Sequence, residues 1–175
     1  VRLLTLNPSE PSQAVHLDTE MSAAEVAALP TADEQTFDAR HLRVYLTGIR
    51  VAQDEHAEHA TQGEDAVFNI EVTFEHAKMR RVTLIAQRPG DAQRWEDWSA
   101  DQEAARKTFH EEWATRTLGA AFEPLRIEVD GTWISTEWPE PAPKQATMPW
   151  GQLRSVYDQH AATATLIMLI GFVGG

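Results

Sequence analysis

The chain is expected to fold as an α+β domain: a mainly antiparallel sheet of about six to seven strands with one long helix. Three observations predict this. In "AVFNIEVTFEH", Phe68, Ile70, Val72 and Phe74 alternate with Asn69, Glu71 and Thr73, the period of a strand with one buried face. "SADQEAARKTFHEEWATRTLG" is bounded by capping residues, Ser99 at its start and Gly119 at its end. The links between the strand-like runs are short or loop-like, which suits antiparallel pairing rather than crossovers.

Taken in order, "NPSEPSQ" reads as loop, and "MSAAEVAALP" as a short helix over about 22–29. Ser22 and Glu25 have capping-box spacing there, and Pro30 stops the run. In "RHLRVYLTGIRVA", Leu42, Val44 and Leu46 alternate; after Gly48 the alternation resumes out of phase at Ile49 and Val51, which predicts a β-bulge. "QDEHAEHATQGED" is a polar, acidic loop. The strand from Ala66 follows, "AKM" turns, and "RRVTLIAQ" returns antiparallel.

After the break at "RPG", the long helix covers about 100–118. Ser99 and Gln102 have capping-box spacing, and Ala105, Phe109 and Trp113 recur every four residues as its buried stripe. "PLRIEVDGTWISTEW" is a hairpin turning at Asp130-Gly131. "PEPAPKQATMP" reads as loop, and "GQLRSVYD" and "ATATLIMLIGF" as two more strands. Both faces of the last are apolar, Leu166, Met168 and Ile170 against Ile167 and Leu169, so it is expected to be central and covered on both sides. One domain over 1–175 results, with an N-terminal extension (1–35) and a sheet-and-helix core (36–173).

Composition narrows the function. With no cysteine, a disulfide, a thiolate nucleophile, an Fe–S cluster and a Cys-ligated zinc are excluded. The formal charge of −12 disfavours nucleic acid and anionic membranes and favours basic partners. The opening "VRLLTLNPSEPSQ" has too short an apolar run for a secretory leader. "LIMLIGFV" is far below the roughly twenty residues of a spanning helix. A cytoplasmic location, no membrane and no cofactor are the expectations.

Chemistry-bearing residues are weighed against plainer roles. His56 and His59, with Asp54, Glu55 and Glu58 beside them, have the donor types that suit Zn²⁺, Ni²⁺ or Cu²⁺; the alternative is a solvated acidic loop. "HEEW" lacks the second histidine of a metalloprotease helix. With Phe109 and Trp113 inward, His110 and Glu111 are expected to point outward. Carboxylate pairs such as Glu96 and Asp97 arise readily among 27 acidic residues. Tyr157, Asp158 and His160 fall at a strand end and its turn, where Asp commonly bonds nearby backbone N–H groups. Trp113 and one of Trp133 or Trp138 are expected in the core. Trp95 and Trp98, among acidic residues, have the character of an interface anchor, or else cover one end of the sheet.

Around these residues the chain resembles small acidic α+β proteins that act as immunity partners in bacterial polymorphic toxin systems. The likeness rests on "EEWATRTLG" with Trp113, Leu118 and Gly119, and on "WGQLRSVYD" with Trp150, Gly151, Tyr157 and Asp158, within roughly residues 36–173. It implies no catalysis and tight binding to a cognate toxin, often a basic nuclease. The expectation is therefore a non-enzymatic binding protein, with contacts at Asp54, Glu55, Glu58, Glu64, Asp65, Trp95 and Trp98. The alternatives are a metal-assisted hydrolase using His56 and His59, and a homo-oligomeric scaffold, for which a homodimer is the simplest form.

Overall fold

The computed structural model describes residues 1–7, 15–29, 32–36, 41–52, 66–88, 90–91, 95–129, 132–135, 141–158 and 161–171. In chain order these form β1 (Arg2–Asn7), β2 (Val15–Asp18), α1 (Ala23–Ala27), β3 (Ala32–Thr36), β4 (His41–Ala52), β5 (Ala66–Glu75) and β6 (Lys78–Gln87). A 3-10 turn at Trp95–Asp97 leads into α2 (Ala100–Leu118). Then come β7 (Glu123–Pro124), β8 (Arg126–Val129), β9 (Thr132–Ser135), β10 (Lys144–Met148), β11 (Gly151–Asp158) and β12 (Thr163–Ile170).

Ten of these strands make one antiparallel sheet in the order β2-β1-β4-β5-β6-β12-β11-β10-β7, with β3 also on β4, while β8 and β9 pair as a separate hairpin. The α+β, mainly antiparallel architecture is as expected, but the strand count exceeds six to seven. The additions are short. β1, β2 and β3 lie in the N-terminal segment, β7 has two residues, and β10 lies in the stretch read as a proline-rich loop. Such strands carry little periodicity of their own, and the ladder of a longer neighbour recruits them: β10 pairs residue for residue with β11 from Lys144↔Ser155 to Met148↔Gly151.

Elements with strong local signals follow the sequence closely. Ser22 Oγ accepts from the Glu25 N–H (3.3 Å) and Glu25 Oε2 from the Ser22 N–H (2.8 Å), closing the capping box of α1, which is shorter than expected. The Ser22 N–H and then the Ser22 hydroxyl (2.7 Å), both donating to Glu25 Oε2, hold the Glu25 carboxyl below its ordinary value. The β4 register shifts between Leu46 and Ile49, and the Gly48 N–H bonds Asn69 Oδ1 (3.1 Å), as the phase change implied. β5 buries Phe68, Ile70, Val72 and Phe74. The turn after it falls at His76 and Ala77, both with positive φ (51° and 63°), one residue earlier than "AKM".

Register builds the core as rows across the sheet. Val44, Val72, Val82, Met168 and Leu153 form one such row, each with no exposed surface. At about 1.5–3 kcal/mol per buried aliphatic side chain, rows of this kind dominate the stability. β12 is central, between β6 and β11. Its Leu166 and Met168 are buried, whereas Ile167, Leu169 and Ile170 are half-buried, so its second face is less covered than expected. No helix among the described residues is long and apolar enough to cross a membrane.

Candidate functional site

α2 is capped as expected: Ser99 Oγ accepts from the Gln102 N–H (3.2 Å), and Gly119 closes the helix in a left-handed conformation. Its buried face is not the expected one. Ala105 is exposed and Phe109 half-buried, while Glu103, Arg106, Lys107, His110, Trp113 and Ala114 are buried. His110, expected to point outward, has no exposed surface.

The cause lies in the sheet. The ladder between β6 and β12 ends at Leu84↔Leu166. Beyond it, the Ala86 N–H donates to His110 Nε2 (3.0 Å) and the Ala164 N–H to Glu103 Oε2 (2.8 Å). Buried backbone donors need acceptors, and α2 supplies them with side chains. Glu103 also pairs with Arg106, whose guanidinium reaches Asp91 at 2.9 Å. One turn on, Glu111 meets Lys107, Lys144 Nζ (2.7 Å) and Ser155 Oγ (2.9 Å). Burial pushes the Glu111 carboxyl up, but the bonds from Lys107, Lys144 and Ser155 outweigh it and hold it below its ordinary value. Burial, then the charges of Arg106, Lys107 and Arg88, push His110 down to about 3, so the ring is neutral.

Ser155 and Glu111 are hydrogen-bonded and His110 is the neighbour of Glu111 in the chain, but the three do not form a nucleophile relay. His110 Nε2 is occupied by the Ala86 N–H, and Ser155 is fully buried. The network is an interior brace in which three cations meet three carboxylates, so the surplus negative charge remains elsewhere on the molecule.

At the N-terminal end of α2, Trp98 is half-buried and its Nε1–H donates to the Ala162 carbonyl (2.8 Å), tying the 3-10 turn to the β11–β12 turn. Asp158 Oδ1 accepts from the Ala161 N–H (3.1 Å), the local turn bond expected of it. Glu96, Asp97, Asp101 and Asp158 are exposed around this junction. Register places the end of β4 and the start of β5 at the same end of the sheet, through Val51↔Ala66 and Val67↔Gln87.

Around the C-terminal end of α2, two open clefts of about 240 and 330 Å³ meet at Trp150, and Val51 near the end of β4 reaches the first. Leu118, Met148 and Trp150 line the first; Lys78, Arg80 and Gly171 are among the residues lining the second, which Trp150 shares. The Trp150-Gly151 step is built tightly. A Cβ on Gly151 (φ 149°) would stand 2.0 Å from the Leu169 carbonyl oxygen, so no larger residue fits.

Of the sequence-derived candidates, Asp54, Glu55, His56, Glu58, His59, Glu64 and Asp65 lie outside the described residues, as do His160 and Trp138. Trp95 is described in its backbone only, as is Trp133 in β9. Trp113 is in the core, 4.7 Å from Phe68 between ring centroids. Among the described residues no group of three or more His, Asp and Glu is placed to hold a metal ion. Sequence reasoning missed the Glu103–Arg106–Lys107–His110–Glu111 face, although its i, i+3, i+4, i+7 spacing marks one side of a helix. Comparison of the chain with family models, with curated proteins and with solved structures finds no match.

Proposed function

We propose that this chain is a non-enzymatic binding protein that docks a basic protein partner, as an immunity protein masks a toxin. The observation that carries this reading is the acidic end of the sheet, where Glu96, Asp97, Asp101 and Asp158 surround the half-buried Trp98. An aromatic anchor ringed by like charges has the chemistry of an interface hot spot, and a net charge of −12 steers a basic protein toward it. The interior brace supports a binding role as well, because Glu103, His110, Glu111 and Ser155 are engaged in holding the sheet and α2 together.

The test is retention of basic proteins from a lysate of the source cell on the immobilised chain, beside a variant with Glu96, Asp97, Asp101 and Asp158 all changed to Lys. One basic protein held at low salt, released at high salt and lost by the variant is the expected result. Equal retention by both chains, or none by either, removes the reading.

A further inference from the structure

We infer that the trough around Trp150 binds a small anionic amphiphile, a molecule with a short apolar body and a carboxylate or phosphate head. Arg2, Lys78 and Arg80 line the two clefts, all three exposed, and among the described residues none of them has an ion-pair or hydrogen-bond partner. Among the described residues Glu20 is the one carboxylate in either lining. On a chain with 27 acidic and 15 basic residues, three unpaired cations gathered at one depression are a local reversal of charge.

The two clefts divide the work. Leu3, Val51, Leu118, Met148 and Trp150 give the first an apolar wall, and the last turn of α2 contributes to it. A helix C-terminus repels an anion, so the apolar body belongs there and the head in the second cleft. In the second cleft, Arg80 Nη1 lies 3.7 Å from where a Cβ on Gly171 would be. Gly171 itself donates its N–H to the Trp150 carbonyl (3.0 Å). The guanidinium thus lies over the backbone that adjoins the tryptophan. Concave apolar walls with a few convergent polar groups are the usual form of a small-molecule site. None of Glu96, Asp97, Trp98, Asp101 and Asp158 lines either cleft.

The test is a ¹⁵N NMR titration of the full chain with octanoate and octyl phosphate, with octan-1-ol and octylammonium as controls. Octanoate or octyl phosphate is expected to give saturable shifts at the Trp150 indole N–H and at the Lys78, Arg80 and Leu118 amides. The tighter of the two names the head group. Octan-1-ol is expected to bind at least about tenfold more weakly, and octylammonium not at all. Lys78→Glu with Arg80→Glu is expected to weaken the anion about tenfold or more while the spectrum stays dispersed. Should that variant not fold, Arg2→Glu together with loss of binding at high salt tests the same attraction. Absence of saturable shifts, shifts that map away from Trp150, or equal affinity for octan-1-ol overturns the inference.

Discussion

At the N-terminal end of α2, four exposed carboxylates stand around Trp98, and the nearby Arg106 is drawn inside against Asp91 and Glu103. At its C-terminal end, Arg2, Lys78 and Arg80 stand around Trp150, with a single carboxylate beside them among the described residues. Both ends complement the helix dipole, an effect of about 0.3–1 kcal/mol per charge, so some of this pattern serves the fold. Dipole complementarity does not explain why each end also keeps a tryptophan at its centre, nor why the end cations lack partners among the described residues. Between the ends, the buried face of α2 is internally neutralised. The contrast separates charge that holds the sheet, in the middle, from charge left available at the ends.

That separation can be broken by substitution. Glu103→Ala in the middle leaves the Ala164 N–H and Arg106 short of an acceptor, and is expected to cost about 3–5 kcal/mol in urea unfolding. A loss below about 1 kcal/mol would make the brace no stronger than a surface pair. Gly151→Ala forces a Cβ into the Leu169 carbonyl and is expected to cost about 3 kcal/mol, with the Trp150 end disturbed in hydrogen exchange before the Trp98 end.

His110 sharpens the comparison through pH. Its folded value, about 3, is lower than the ordinary histidine value, so the unfolded chain binds the extra proton first. Stability from this group is complete above about pH 6.5, falls as pH drops toward 3, and is constant below that. The expected loss across the whole window is about 4–5 kcal/mol, most of it between about pH 6 and 3. His110→Gln, whose amide oxygen can still accept from the Ala86 N–H, is expected to flatten that slope in denaturation series between pH 7 and 4. An unchanged slope would place the titration elsewhere.

The smallest effect belongs to the ends. Asp101→Lys and, separately, Lys78→Glu are each expected to change stability by no more than about 1 kcal/mol. A larger loss at either position, measured by thermal unfolding, would mean that the end charges hold the fold rather than wait for a ligand.

The long alternating strands were legible because their signal is local. β5 repeats Phe68, Ile70, Val72 and Phe74, and β4 shows its bulge as a phase change at Gly48. β10 was not legible. "KQATM" has no apolar alternation, and it is a strand because β11 offers a ladder to it. Of the candidate site, Trp98 could be singled out by its acidic neighbours, but nothing local says that its indole meets the turn after Asp158, 64 residues away at Ala162.

α2 draws the line between the two kinds of information. Its existence and limits follow from Ser99, Gly119 and the run between them, because capping and propensity act within a turn or two. Its orientation does not. The apolar spacing of Ala105, Phe109 and Trp113 pointed one side inward, yet the helix turned Glu103, Arg106, Lys107 and His110 to the sheet. Two backbone N–H groups become unpaired only once β6 and β12 are laid side by side and part beyond Leu84 and Leu166. A demand created by strands distant in sequence is invisible to a periodicity within one helix, and leaving those groups unmet costs more than exposing an alanine and half of a phenylalanine.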